Sequence, residues 1–392
     1  MSDATGRLPS TPPRAGDDVE PRDGSDLRDA PDRRDGSDPR DAASPAPAVA
    51  SEAVAAPQRL YIGSYTASSG GSGAGITVLE RSAPGAPWQA VQTVEADDPS
   101  FLVATEGALH AVSETTEGRV LSYTVSAGQL VAASSAASGG AAPCHVHHDP
   151  ASGALVVASY VGGTVSVLSA DPSHPSRVAR TLALPFGHGP VLDRQERPHA
   201  HQVVSTPWGT TLVSDLGTDR LLELTIDPIT LDPQFVAVHP LPSGAGPRHL
   251  AWLDDGRLVV VGELDARLHV LRRAETKLVL DHSVEVFEGA ASTAGVLPSH
   301  LAVDAGRVYV ATRGRDTISV FSVGDDDRLR LVGEASCGGR WPRHFAITPG
   351  VLYCANQGSD TVAVLPLDPE TGVPGEPVDV FALGSPACIV AV

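Results

Sequence analysis

The sequence predicts an all-β fold: a seven-bladed β-propeller closed by its C-terminal strand and preceded by a disordered N-terminal tail. Three observations carry that expectation. An apolar strand–turn–strand unit recurs seven times after residue 58, a short proline-led strand stands ahead of nearly every unit, and one further proline-led strand ends the chain.

The tail comes first. Residues 1–57 hold twelve acids, seven arginines and almost no large apolar side chains. Within them RDGSDLRDA (22–30) recurs as RDGSDPRDA (34–42), followed by the Ala/Pro/Ser run AASPAPAVASEAVAAP. Such a segment buries too little apolar surface to offset the entropy of ordering, so it is expected to be disordered and solvating. Residues 58–392 are the expected propeller domain.

The seven units follow: LYIGSYT…GITVLER, LHAVSETTEGRVLSYTV, LVVASYVGGTVSVLSA, TLVSDLGTDRLLELTI, LVVVGELDARLHVLRR, VYVATRGRDTISVFSV and LYCANQGSDTVAVLPL. Alternating β-branched residues broken by short Gly/Asp/Thr turns make these β-hairpins. Anchored at Ser64, Ser113, Ser159, Asp215, Glu263, Arg313 and Gln357, the units are spaced by 49, 46, 56, 48, 50 and 44 residues. All-strand repeats of this length are propeller blades, and the missing WD dipeptide excludes a WD40 array.

The proline-led strands are PSFLVA (99–104), PCHVHHD (143–149), PHAHQVV (198–204), PRHLAWL (247–253), PSHLAVD (298–304), PRHFAIT (342–348) and SPACIVAV (385–392). The last has no unit after it, and the first unit has no such strand before it. Pairing the two closes the ring and removes its open edges.

Composition excludes several classes. A formal charge of −19 opposes a nucleic-acid partner. No apolar run approaches the ~20 residues of a membrane span. The four cysteines form no CxxC pair, so neither a zinc site nor a disulfide framework is expected. MSDATGRLPSTPPRAGDD lacks an apolar signal core, which makes a cytoplasmic protein the expectation.

The candidate site comes from register. Two residues after the proline stand Phe101, His145, His249, His300, His344 and Cys388, and one extra residue in the fourth blade moves the equivalent to His201. Five imidazoles at one repeat position point to a shared mouth. Antiparallel pairing sets the ends of the following strands beside them, bringing Glu114, Tyr160, Asp215, Glu263, Arg313 and Gln357 to the same face. Arg248 and Arg343 adjoin two of the histidines, His147 follows His145 by two residues, and His199 lies near the extra residue. Arg194 sits in the longest insertion, GHGPVLDRQERPHAHQ, which is placed to fold over the mouth. Histidine suits proton transfer near neutral pH, and arginine binds carboxylate or phosphate in bidentate fashion. With no GxSxG elbow, water activation on an anionic ester or lactone is the expected chemistry.

RQERPHAHQVV, VSDLGTDRL, GPRHLAWLDDGRLVVVGEL, ATRGRDTISVF and WPRHFAITPGVLYCANQGSDTVAV, in this order, resemble the lactonase family of seven-bladed propellers. That family includes the propeller-type 6-phosphogluconolactonases and the fungal carboxy-cis,cis-muconate cyclases. The resemblance runs from about Arg59 to Val392. It implies hydrolysis of 6-phospho-D-glucono-1,5-lactone to 6-phosphogluconate, a step of the pentose phosphate route. It also implies a site of His145 or His147, Arg194, an acid such as Asp215 or Glu263, and Arg248.

The combined expectation assigns His145, His147, His201, Arg194, Asp215 and Glu263 to catalysis. His199, Arg248, His249, His300, Arg313, Arg343 and His344 are assigned to substrate binding. The expected partner is a small anionic lactone, with no cofactor, metal, nucleic acid or membrane, and the chain is expected to be a monomer or homodimer. Two rival readings are a muconate-type lactonising cyclase and a non-catalytic scaffold. A third, a metal-dependent lactonase, would draw on Glu114, Asp215, Glu263 and Asn356.

Overall fold

A computed structural model describes residues 59–83, 85–171, 178–288 and 295–392. The expected tail, residues 1–57, lies outside them. Among the described residues, strands form seven four-stranded antiparallel sheets, each one blade. Blades 2 to 7 start at an inner strand and run outward in chain order. Their inner strands are Phe101–Thr105, Pro143–Asp149, Ala200–Ser205, Pro247–Trp252, Leu297–Asp304 and Pro342–Thr348. In blade 1 the inner strand is Pro386–Ala391, paired with Arg59–Ser64 through Leu60↔Ala391 and Ile62↔Ile389. The seven inner strands pack against one another around the axis.

Each blade is buried on both faces, which explains why the second strands read as unbroken apolar runs. In Ala154–Ser159 every residue is buried. Val156 and Ala158 face blade 4, packing with Val203 and Val213, while Leu155 and Val157 face blade 2 with Val112 and Val120. The period of two sends alternate side chains into two different inter-blade cores. Burying each such Val or Leu stabilises the fold by roughly 1.5–3 kcal/mol. The seam that closes the ring has the same composition: Leu60, Ile62 and Ile389 pack on Tyr353, Val362 and Val364 of blade 7. No helix among the described residues is long and apolar enough to cross a membrane.

Candidate functional site

The inner strands begin with a repeated irregularity. Pro143, Pro247, Pro342 and Pro386 open their strands, where a missing N–H costs no ladder bond. Immediately after, pairing slips by one residue in six of the seven blades. A bulge there re-aims the side chains that follow. Two columns result. One residue past the proline stand Ser100, Cys144, His201, Arg248, Ser299, Arg343 and Ala387. Two residues past it stand Phe101, His145, Gln202, His249, His300, His344 and Cys388.

This register corrects the expected position of His201. Ala200 pairs with Asp215 and Val203 with Val213, just as Pro247 pairs with Gly262 and Leu250 with Val260. Ala200 therefore takes the proline's place, no residue is extra, and Gln202 holds the histidine position. A repeated backbone bond agrees. Glu263 N donates to Gly246 O, Tyr160 N to Ala142 O and Leu216 N to His199 O, each at 2.9 Å. His199 thus precedes the proline position, and Leu216, not Asp215, is the equivalent of Glu263.

A cavity of about 220 Å³ opens at this face. The first column lines it with Cys144, His201, Arg248 and Arg343. The ends of the second strands add Glu114, Tyr160, Glu263 and Arg313, and the insertion contributes Arg194. Glu263 is the hub. Arg194 Nη2 reaches its Oε1 at 2.5 Å, while Arg248 Nε at 2.9 Å and Arg313 Nη2 at 2.7 Å face its Oε2. Burial opposes charge on this carboxyl, but the guanidiniums of Arg313, Arg248 and Arg194, with His201, offset it and hold the group well below the usual carboxylate range. Burial and the like charge of Arg313 push Arg248 down to about 9, so it is still a cation at neutral pH. Across the cavity Tyr65 OH donates to Glu114 Oε2 at 2.7 Å, and Arg343 Nη2 donates to Tyr65 OH.

His201 is the imidazole that reaches this space. Burial, and then the Arg248 charge, hold it well below 6.5, so the ring is neutral at pH 7. Its Nδ1 has no hydrogen-bond partner among the described residues. Burial likewise pushes the Cys144 thiol up, away from a reactive thiolate.

The other expected histidines lie elsewhere. Phe101 and His145 rings sit 4.1 Å apart, His300 stacks on His344 at 3.8 Å, and His249 Nδ1 lies 2.9 Å from His300 Nδ1. The four histidines are buried, and none of them lines the cavity. Burial first, then neighbouring rings and Arg248, lowers their basicity, His344 to about 3. Val203 N donates to His145 Nδ1 (3.4 Å) and Ile389 N to His344 Nδ1 (3.3 Å), each across a blade boundary, and Leu250 N donates to Gln202 Oε1 in the same way. These side chains plug the channel and tie neighbouring blades. His147 lies further along its strand, bonded at 2.7 Å to Ser205 Oγ, which donates to Asp149.

Asp215 is buried under the insertion, accepting from His199 N and Thr218 Oγ1, with Arg220 Nε at 3.4 Å. His199 stacks behind Tyr160 at 4.3 Å. Asn356 donates to Cys337 O. Of the four oxygen ligands weighed for a metal, Glu114 and Glu263 line the cavity and the other two do not. No group of three or more His, Cys, Asp or Glu side chains comes together to hold a metal among the described residues. Cys144 and Tyr65 are the site residues that sequence reasoning did not single out. Both were visible as column members, Cys144 beside His145 and Tyr65 in register with Glu114 and Tyr160.

Comparison with known proteins agrees with this architecture. Residues 59–391 match the family model described as Lactonase, 7-bladed beta-propeller. A 6-phosphogluconolactonase of Bacillus subtilis is 29% identical over 221 residues, which cover 53% of this chain and 60% of that protein. The match thus spans less than two thirds of that relative's length. An uncharacterized protein of Staphylococcus epidermidis is 30% identical over 280 residues, 68% of this chain and 79% of its own length. Among solved structures, a periplasmic gluconolactonase of Pseudomonas aeruginosa superposes with a TM-score of 0.76 at 27% identity, over 85% of this chain and 98% of its own.

Proposed function

The chain belongs to the lactonase family of seven-bladed β-propellers, and we propose that it hydrolyses an anionic sugar lactone, 6-phospho-D-glucono-1,5-lactone foremost. One observation carries this reading. In a chain of net charge −19, the cavity gathers four guanidiniums against two carboxylates. Glu263 neutralises part of that charge and the rest faces the cavity, which suits a small anion.

The chemistry follows from the residues. A guanidinium of Arg194, Arg248, Arg313 or Arg343 binds the phosphate, and another receives the lactone carbonyl oxygen. The His201 imidazole takes a proton from water as the water oxygen attacks C1, and the oxyanion that forms is stabilised by guanidinium. The C1–ring-oxygen bond then breaks. The imidazolium, made acidic by burial and by Arg248, returns its proton to the leaving ring oxygen, giving a free hydroxyl and a carboxylic acid that ionises. Glu263, held by three arginines, orders them rather than acting as base. Asp215 supports the loop behind Tyr160. A role in the pentose phosphate route, a cytoplasmic setting and a monomeric or homodimeric state belong to the same proposal.

The test is a panel of 6-phosphogluconolactone, gluconolactone and a muconolactone-type acid. Preference for the phosphorylated lactone by tenfold or more in kcat/KM is expected. Preference for the muconolactone would move the reading to a cyclase, whose carboxylates engage the same arginines. No turnover of any of them would overturn it.

A further inference from the structure

Arg194 reaches the cavity from an insertion, and an arginine on a loop binds well only if the loop is held. The residue after it, Gln195, is fully buried although its neighbours are not. Its side chain uses both ends. Nε2 donates to Asp219 Oδ1 at 2.7 Å and to Leu216 O at 2.9 Å, and Oε1 accepts from Val191 N at 3.1 Å. Its backbone O accepts from Gly189 N at 2.9 Å. The insertion wraps so closely that a Cβ on Gly189 would stand 2.2 Å from Gln195 Oε1.

Asp219 carries the connection onward. It also accepts from Gly244 N at 2.6 Å and from Gly246 N at 2.8 Å. Gly246 lies two residues before Arg248, and its carbonyl receives the Glu263 N–H at 2.9 Å. One carboxylate therefore ties the loop bearing Arg194 to the turn that sets Arg248 and Glu263.

We propose that Gln195 and Asp219 form a positioning latch that holds Arg194 in register with Arg248 and Glu263 for an anionic ligand. This rests on the binding role given to the arginines above. Neither residue touches ligand; both act through Arg194.

The experiment uses the full chain and four variants: Gln195→Leu, Gln195→Glu, Arg194→Ala and the double Gln195→Leu/Arg194→Ala. Kd for 6-phosphogluconate is read by calorimetry, kcat and KM are read with 6-phosphogluconolactone, and amide exchange is followed over residues 185–198. Gln195→Leu is expected to weaken binding about tenfold, with the loss in KM rather than kcat, and to speed exchange at Gly189, Val191 and Gln195. Gln195→Glu keeps the volume but sets an acceptor against Asp219, so it is expected to lose as much; wild-type binding in this variant would reduce Gln195 to a space-filler and overturn the latch. In the Arg194→Ala background Gln195→Leu should change nothing further, and an equal second loss would also overturn it. If the wild type neither binds nor turns over these compounds, the functional reading fails by itself. The latch is then decided by exchange alone: unchanged protection of 185–198 in Gln195→Leu and Gln195→Glu overturns it, and faster exchange supports it.

Discussion

Arg248 and His249 are joined by one peptide bond, yet they belong to different parts of the molecule. Arg248 lines an open, cation-rich cavity and pairs with Glu263. His249 is buried among neutral rings, edge-on to His300 at 5.1 Å. The same division holds at Cys144 and His145, at His201 and Gln202, and at Arg343 and His344. A bulge at the head of six of the seven inner strands separates chemistry from packing by one position. The lesson is that a column of identical residues in a repeat is evidence of shared geometry, and shared geometry serves a plug as well as a site.

The sharpest test of this division exchanges the same residue types in the two columns. His201→Gln removes the only cavity-lining imidazole among the described residues, and turnover of the phosphorylated lactone should fall by ~10²–10⁴-fold with Tm nearly unchanged. A loss confined to KM would take His201 out of proton transfer.

Acid should act on the plug before it acts on Glu263. A buried histidine with a folded pKa near 3 stays neutral while the unfolded chain, at about 6.5, takes up a proton. Stability from His344 is thus complete above about pH 6.5 and lost as pH falls toward 3, at about 1.4 kcal/mol per pH unit. His145, His249 and His300 shift in the same direction. Denaturant midpoints measured from pH 7.5 to 4.5 should fall accordingly, and a flat profile would contradict the buried, neutral plug.

His344→Gln copies the residue that blade 4 already uses. Gln202 accepts the same inter-blade N–H, so the substitution should cost about 1 kcal/mol, mainly the stacking on His300. It should also shallow the acid slope and leave kcat/KM within about twofold. An inactive but folded His344→Gln would return the histidine column to catalysis. The smallest effect is expected from deleting residues 1–57: their composition gives no reason for them to support the propeller, and Tm and kcat/KM should both hold.

Much of this was legible in the chain. The spacing of the units, the proline before each inner strand and the spare strand at the end led to seven blades and to their closure. The mixture of arginine, acid and histidine at one face was also readable, because antiparallel pairing links strand starts to strand ends. What the sequence hid was one residue of register. Pro198 imitates the proline of its neighbours, but Ala200 does that job here, so His201 and Asp215 were read one place out of line. The bulge obscured the rest. It breaks the simple alternation by which adjacent residues are assigned to opposite sides, so the histidine column was read as lining the mouth together with Arg248 and Arg343, of which only the arginines line it.

Closure through Pro386–Ala391 also has a consequence for synthesis. The strand Arg59–Ser64 leaves the ribosome among the first of the propeller and its inner partner among the last. Until then its inner edge offers unpaired amides and carbonyls to any strand nearby, and six later blades assemble beside it. Completion is the most non-local strand pairing among the described residues, a slow class of event in folding. The nascent chain therefore passes through a period as an open arc, when its protection from aggregation depends on whatever temporarily shields that first edge.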